Sequence, residues 1–165
     1  MSLPRAFRHL FTPWWLTQRR FDRAACTAIE RAVGDVEGRH AGEIRVAIET
    51  ALDLTDLWLG VTAPRRALAV FGLLGVWDTA GNNGVLIYVL MADHKVEIVA
   101  DRGIAARVPK AEWEAICRRI ENGFRAGRYG EGVADGVRAV GEVLARHFPH
   151  EGGDRNEQRN APAFL

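Results

Sequence analysis

The chain has 165 residues, 48% hydrophobic and 26% charged, with a formal net charge of +1. That length and balance suit one soluble domain with a real core, and the near-zero charge argues against bulk electrostatic binding of nucleic acid. Ser2, at the extreme terminus, is the only serine, which excludes a serine hydrolase, and Cys26 and Cys117 stand alone with no C-x-x-C pairing. Both cysteines fall on apolar helix faces and read as reduced thiols. Of the basic residues only Lys95 and Lys110 are lysine, and the Arg excess reads as genome composition more than function. No signal-peptide core and no apolar run of transmembrane length is present, so the expected address is cytoplasmic, with a peripheral membrane association left open.

Residues 1–20 form a basic and aromatic arm: Arg5, Phe7, Arg8, His9, Phe11, Trp14, Trp15, Arg19 and Arg20. Two readings stand. The arm docks on a membrane surface or an unknown protein partner, since Trp and Arg together favour interfaces, or it packs its aromatics on the domain. Pro4 and Pro13 bracket a piece too short for a stable interfacial helix.

The stripe Phe21, Ala25, Ile29, Ala32, Val36 predicts a helix starting at Thr17 or Asp22 and stopping at Gly38. Glu43 to Glu49 alternates strictly and predicts a strand whose polar side, Glu43, Arg45 and Glu49, is either wet or part of a site. A short helical turn is expected around Leu54–Leu59. Thr62 and Pro64 open the next helix, with Arg65 and Arg66 in its first turn either solvated or holding an anion. Gly84 to Ala92 is apolar on both faces, as in a strand covered on both sides. A turn at Asp93-His94 returns the chain antiparallel along Lys95–Ala100. A turn centred there pairs Ala92 with Lys95 and Leu86 with Asp101. Pro109 opens a helix with the stripe Trp113, Ile116, Cys117, Ile120, Phe124. A last helix carries Val133, Val137, Val140, Leu144 and Phe148, with Gly132, Gly136 and Gly141 as close-packing positions. From Pro149 onward a loosely attached polar tail is expected.

The order α-β-α-β-β-α-α implies a parallel strand pair joined by a right-handed crossover, then an antiparallel strand. The fold class is α/β: a three-layer α/β/α sandwich, Rossmann-like, with a small mixed sheet and a central antiparallel hairpin. The division is an arm (1–20), one α/β domain (21–148) and a tail (149–165).

Polar groups converge at one end of the hairpin. Asp78, Asn82, Asn83 and Asp101 offer oxygen ligands suited to calcium or magnesium; alternatively they only cap turns. Arg102 beside them makes the spot a candidate anion site, and Asp101 and Arg102 are the catalytic candidates. His147 and His150 with Glu151 read as a helix end, because Pro149 breaks any shared face. His94 is expected in solvent, His40 at a helix end, and Glu43, Arg45 and Glu97 in an ion pair across the sheet. No H-E-x-x-H, P-loop or G-x-G-x-x-G after a strand is present.

Val76-Trp77-Asp78-Thr79, Asn82-Asn83-Gly84-Val85-Leu86-Ile87-Tyr88 and Val96-Glu97-Ile98-Val99-Ala100-Asp101-Arg102-Gly103-Ile104 resemble the core of the TPM domain family. The run from Arg125 to Val133 resembles that family's approach to its last helix. The resemblance spans residues 20–148. It implies the same sandwich, and membership with thylakoid lumen proteins of photosystem repair, a nematode receptor-accessory protein and uncharacterised bacterial proteins. This chain resembles a short bacterial subgroup with no signal or anchor. Weak acid phosphatase activity and divalent-metal binding are attributed to some members. Asn82 stands where many relatives carry Asp, a change that weakens a cation site. The sequence therefore supports a non-catalytic binding or accessory module with at most a structural cation at the hairpin end, and, as the alternative, a weak metal-dependent acid phosphatase.

Overall fold

The computed structural model describes residues 3–149 and 158–165. Along the chain run α1 (Leu3–Phe11), α2 (Trp14–Arg20), α3 (Arg23–Glu37), β1 (Glu43–Glu49), α4 (Leu54–Trp58), α5 (Ala63–Leu73), β2 (Gly84–Leu90), β3 (Lys95–Ala100), α6 (Arg102–Ala105), α7 (Lys110–Arg125), α8 (Tyr129–His147) and β4 (Ala163–Phe164).

Every residue of β1 and β2 is buried. The sheet order is β3-β2-β1-β4, with β1 parallel to β2 and to β4, and β3 antiparallel to β2. The alternation of the strands sorts their side chains into two cores. Ile44, Val46, Ile48, Val85, Ile87 and Val89 pack with α3, α7 and α8. Ala47, Leu86, Tyr88 and Leu90 pack with α4 and α5. Each fully buried Leu or Ile contributes about 1.5–3 kcal/mol, so the two layers hold the sheet from both sides. The three-layer α/β/α sandwich read from the sequence is the observed architecture.

α3 begins where Asp22 caps it, its carboxylate accepting from the Ala25 N–H at 2.8 Å. The glycines of α8 do what their spacing predicts. A Cβ at Gly141 would sit 2.6 Å from Val36 Cβ, and one at Gly136 would sit 2.3 Å from Ile120 Cδ1. At both positions a side chain of the neighbouring helix packs onto the bare glycine backbone, in the space a Cβ would take.

Five expectations need correction. The hairpin register differs by two: Leu90 pairs with Lys95 and Leu86 with Val99. Met91 to His94 make a four-residue turn, with His94 at φ 52, and a turn longer by two shifts the pairing without exchanging the faces. Asp101 stands opposite Gly84, its N–H donating to the Gly84 carbonyl at 2.8 Å. The polar side of β1 is neither wet nor an open site. Arg45 donates to the Arg159 and Ala161 carbonyls at 2.5 and 2.8 Å, and Glu43 accepts from the Gln158 N–H at 3.1 Å. β2 separates β1 from β3, so Glu97 is a full strand removed from Glu43 and Arg45. The end of the chain is not loose: residues 158–165 lie over β1, and β4 extends the sheet. The arm is helical despite Pro4 and Pro13, because proline is accepted in a first turn and at the N-cap.

Candidate functional site

The hairpin end gathers the residues that the sequence marked, but does not use them alike. Asp78 and Asn82 are exposed, Asn83 is half-buried and Asp101 is buried. Asn82 takes φ 48, a left-handed conformation that Asn accepts more easily than most residues. This turn delivers Gly84 under the loop before it, where an added Cβ would lie 1.9 Å from the Val76 carbonyl oxygen. Asn83 is held by three contacts. Its N–H donates to Thr79 Oγ1 at 3.1 Å, its side-chain amide donates to the Ala41 carbonyl, and its own carbonyl accepts from the Glu43 N–H at 3.1 Å. Asp101 caps the single turn α6, with Oδ1 accepting from the Arg102 N–H at 2.6 Å. The Arg102 side chain points to solvent.

Two atoms at this end are buried without a hydrogen-bond partner: Asn83 Oδ1 and Asp101 Oδ2. A buried oxygen left in that state is costly unless something occupies it, and a hard cation is a fitting occupant. The donor set is thin, however. Among the described residues no group of three or more His, Cys, Asp or Glu is placed to hold a metal. His147 pairs instead with Glu112 at 3.6 Å, while His150 and Glu151 lie outside the described residues.

The opposite end of the hairpin carries a polar centre that sequence reasoning missed. Asp93, in the β2–β3 turn, holds α1 against the domain. It accepts from Arg5 Nε at 2.9 Å and Arg8 Nη2 at 3.0 Å, and its Oδ1 lies 3.1 Å from His9 Nε2. Arg5 also donates to the Val61 carbonyl at 2.8 Å. His9 Nδ1 accepts from the Leu52 N–H at 2.9 Å, which puts the imidazole proton on Nε2, facing Asp93. Burial, only partly offset by Asp93, lowers the His9 pKa below 6.5, so the ring is held neutral. Burial would raise Asp93, but Arg5 and His9 together outweigh it and hold the carboxyl below its ordinary value. A cleft of about 570 Å³ opens beside this clasp, between α1, the start of α5 and β3.

A third polar group is sealed under α5. Glu49 receives Arg66 Nε at 2.9 Å and Nη2 at 2.6 Å, and the buried Tyr88 hydroxyl donates to its Oε2. Arg66 also reaches Asp56 at 3.5 Å. Arg66 is therefore neither solvated nor an anion ligand. Its guanidinium is a structural partner, its pKa raised by the Glu49 hydrogen bonds, while burial pushes the Tyr88 phenol far up. The fork of Arg matches a carboxylate at two points. No spacing rule announces such a group, because Glu49, Arg66 and Tyr88 come from three elements.

The outer face of α1 and α2 is apolar and bare. Phe7 is 56% exposed, Leu10 57%, Phe11 74%, Trp14 64% and Trp15 54%. Their inner partners are Ala6 and His9, both buried, and Thr17. The aromatics of the arm are thus not packed on the domain, contrary to the second of the two readings. The Phe7 and Phe11 rings stack on each other at 5.8 Å. α4 extends the face: Ala6, Leu10, Leu54, Thr55 and Trp58 line a groove of about 430 Å³.

With the sandwich, the Asn82-Asn83-Gly84 strand entry and the Asp101 cap in place, a family model settles the class. The model of the TPM domain matches residues 18–143. The chain belongs to the TPM domain family. Two solved structures agree. The NMR structure of the BA42 protein from the psychrophilic bacterium Bizionia argentinensis is 31% identical, with 87% of this chain and 94% of that chain covered and a TM-score of 0.77. The solution NMR structure of the N-terminal domain of a P. gingivalis protein is 24% identical, covers 79% of this chain and 82% of that chain, and has a TM-score of 0.61; it shows the fold alone. No curated protein matches the chain. The hairpin end, Asp93 and the Glu49 group all lie inside the range matched to the TPM domain, whereas α1 and the start of α2 lie outside it.

Proposed function

We propose that this TPM domain works as a non-catalytic binding module whose working surface is the apolar face of α1, α2 and α4. One observation carries the reading: α1 is seated polar side inward. Arg5, Arg8 and His9 meet Asp93 while Phe7, Leu10 and Phe11 face out. Soluble monomers seldom leave a contiguous apolar face of this kind without a use. A photoreactive residue placed at Phe11 is expected to cross-link in living cells, and one placed at Arg138 on α8 is not. Equal yields at both positions overturn the reading.

A second reading keeps the hairpin end, and two buried atoms favour it. Asn83 Oδ1 and Asp101 Oδ2 have no partner, and with Asp78 and Asn82 they would hold calcium or magnesium. A divalent ion supplies charge that polarises a phosphoryl oxygen. Arg102 would bind the anionic ester, and the Asp101 cap would fix α6 beside it. This is the weak acid phosphatase reading. Titration with calcium, magnesium and zinc, followed by amide chemical shifts, tests it. Shifts at residues 78, 82–83 and 101, with metal-dependent ester turnover removed by Asp101→Asn, support it. No shifts at millimolar metal defeat it.

A further inference from the structure

We infer that the occupant of the bare face is the surface of an anionic lipid bilayer, on which α1 and α2 lie in the plane of the interface. This rests on the binding-module reading above and names its partner.

Four observations select lipid over another occupant. The first is charge. Residues 1–21 contain Arg5, Arg8, Arg19 and Arg20 and no Asp or Glu. Arg8 remains 56% exposed while bonded to Asp93, and Arg19 is exposed. Arg5 and Arg20 turn inward, to Asp93 and over the Tyr129 ring, and α4 brings Asp53 and Asp56, so Arg8 and Arg19 are the positive charges set beside the apolar strip, where they complement a layer of anionic headgroups over hydrocarbon. The second is residue type. Trp14, Trp15 and Trp58 are exposed together with Phe7, Leu10, Phe11 and Leu54, and Trp is the side chain that prefers the headgroup level. The third is shape. α1 and α2 have nine and seven residues, and among the described residues no helix is long and apolar enough to cross a membrane. Insertion must therefore be shallow and parallel to the surface. The fourth is preorganisation. An isolated amphipathic segment must fold as it binds. Here α1 is already helical and already oriented, because its polar side is bonded to Asp93 and the Leu52 N–H. Binding then loses little conformational entropy.

A second copy of the chain fits less well. A two-fold contact places the same patch on both subunits, and the arm brings no carboxylate of its own to offset the exposed Arg8 and Arg19 of the two copies.

The test uses the full chain and vesicles of phosphatidylcholine, with and without about one quarter phosphatidylglycerol. Binding is read by cosedimentation and by quenching of tryptophan fluorescence with brominated lipid. Binding to the anionic vesicles is expected to be at least about tenfold tighter than to neutral ones, and to weaken as salt is raised. The combined exposed-site variant Phe7→Ser, Phe11→Ser, Trp14→Ser is expected to lose at least about tenfold in affinity with an unchanged circular dichroism spectrum. Arg19→Glu is expected to weaken anionic binding alone. Absence of binding to the anionic vesicles, or binding that the combined variant leaves intact, overturns the inference. Reversible dimers that dissolve in the combined variant, without vesicle binding, also overturn it, yet leave the binding-module reading standing. If the photoreactive probe at Phe11 captures nothing beyond the control as well, both fall.

Discussion

α8 and α1 are both amphipathic helices, and the domain seats them in opposite senses. α8 turns its apolar stripe inward, with Val133, Val137, Val140 and Leu144 fully buried against α3 and α7. α1 turns its polar stripe inward, and Phe7, Leu10 and Phe11 remain in solvent. The period that defines the two faces is the same. What differs is the neighbour: α8 meets two apolar helices, while α1 meets a carboxylate in a turn and the Leu52 backbone N–H, which donates to His9. Amphipathicity thus establishes that a helix has two faces, and the partner chemistry decides which of them is the inside. The energetics differ too. α8 is held by burial spread over the whole layer, α1 by bonds that converge on Asp93.

The sharpest way to separate the two seatings is to perturb each helix at its contact. Gly141→Val places a Cβ 2.6 Å from Val36 Cβ, a β-branched chain in a helix with no room to swing. Urea unfolding followed by far-ultraviolet circular dichroism is expected to show a loss of about 3 kcal/mol. Phe7→Ser on α1 is expected to change stability by less than about 0.5 kcal/mol. Similar losses for the two would mean that α1 is packed like α8, and the contrast would fail.

The Glu49 group is an intermediate case, polar and inward like α1 yet closed off like α8. Glu49→Ala leaves the Tyr88 hydroxyl and the Arg66 guanidinium without their carboxylate. Arg66 is 27% exposed and can turn partly to water, so the expected loss is about 2–3 kcal/mol, below that of a fully buried pair. Glu49→Gln, which keeps an acceptor for Tyr88, is expected to recover part of it. A loss confined to Arg66→Ala would place the weight on α5 packing instead.

Asp93→Ala removes the carboxylate shared by Arg5, Arg8 and His9. The expected effect is local, about 1–2 kcal/mol, because both arginines can be hydrated once freed. Hydrogen exchange is the discriminating readout. Amides of α1 and Leu52 should lose protection while those of β1 and β2 keep theirs. A global loss across the sheet would show that α1 belongs to the main cooperative unit.

The sandwich was legible because its signals are local and redundant. The unbroken apolar run of β2, the alternation of β1 and β3, and the glycine spacing of α8 each point to one layer, and the layers agree. The hairpin register was out of reach by two residues, because turn length is not written in alternation. The hairpin-end candidates could be located by sequence proximity, although only Asn83 and Asp101 have buried oxygens to offer. The Asp93 clasp and the Glu49 group were invisible for a different reason. Each joins residues 17 to 88 positions apart, and no period or motif connects them. β4 was missed because two residues of strand carry almost no pattern. The one hint was present in the arm itself: an aromatic, Arg-rich segment without a single carboxylate needs an acid from elsewhere if its polar side is to turn inward.

His9 sharpens the contrast through pH, with the smallest expected effect. Its Nδ1 accepts from the Leu52 N–H and its Nε2 lies 3.1 Å from Asp93 Oδ1, so the neutral ring with its proton on Nε2 suits both neighbours. A second proton on Nδ1 would oppose the Leu52 donor, and Arg5 and Arg8 beside it add repulsion. Burial first, then these arginines, set the folded pKa below 6.5 against the pull of Asp93, and as pH falls below that value the unfolded arm takes up the proton first. The contribution of His9 to docking is complete above 6.5 and is lost progressively as pH falls through the folded pKa. Asp93, depressed from 3.8, loses its contribution in a window that opens only below that value, with the same sign. Protection of the Leu52 amide should accordingly decline on mild acidification while the amides of α8 stay protected. His9→Asn, which can still accept from Leu52 but does not titrate there, should flatten that decline. A decline that persists in His9→Asn would assign the pH response to another group and leave the seating of α1 independent of its histidine.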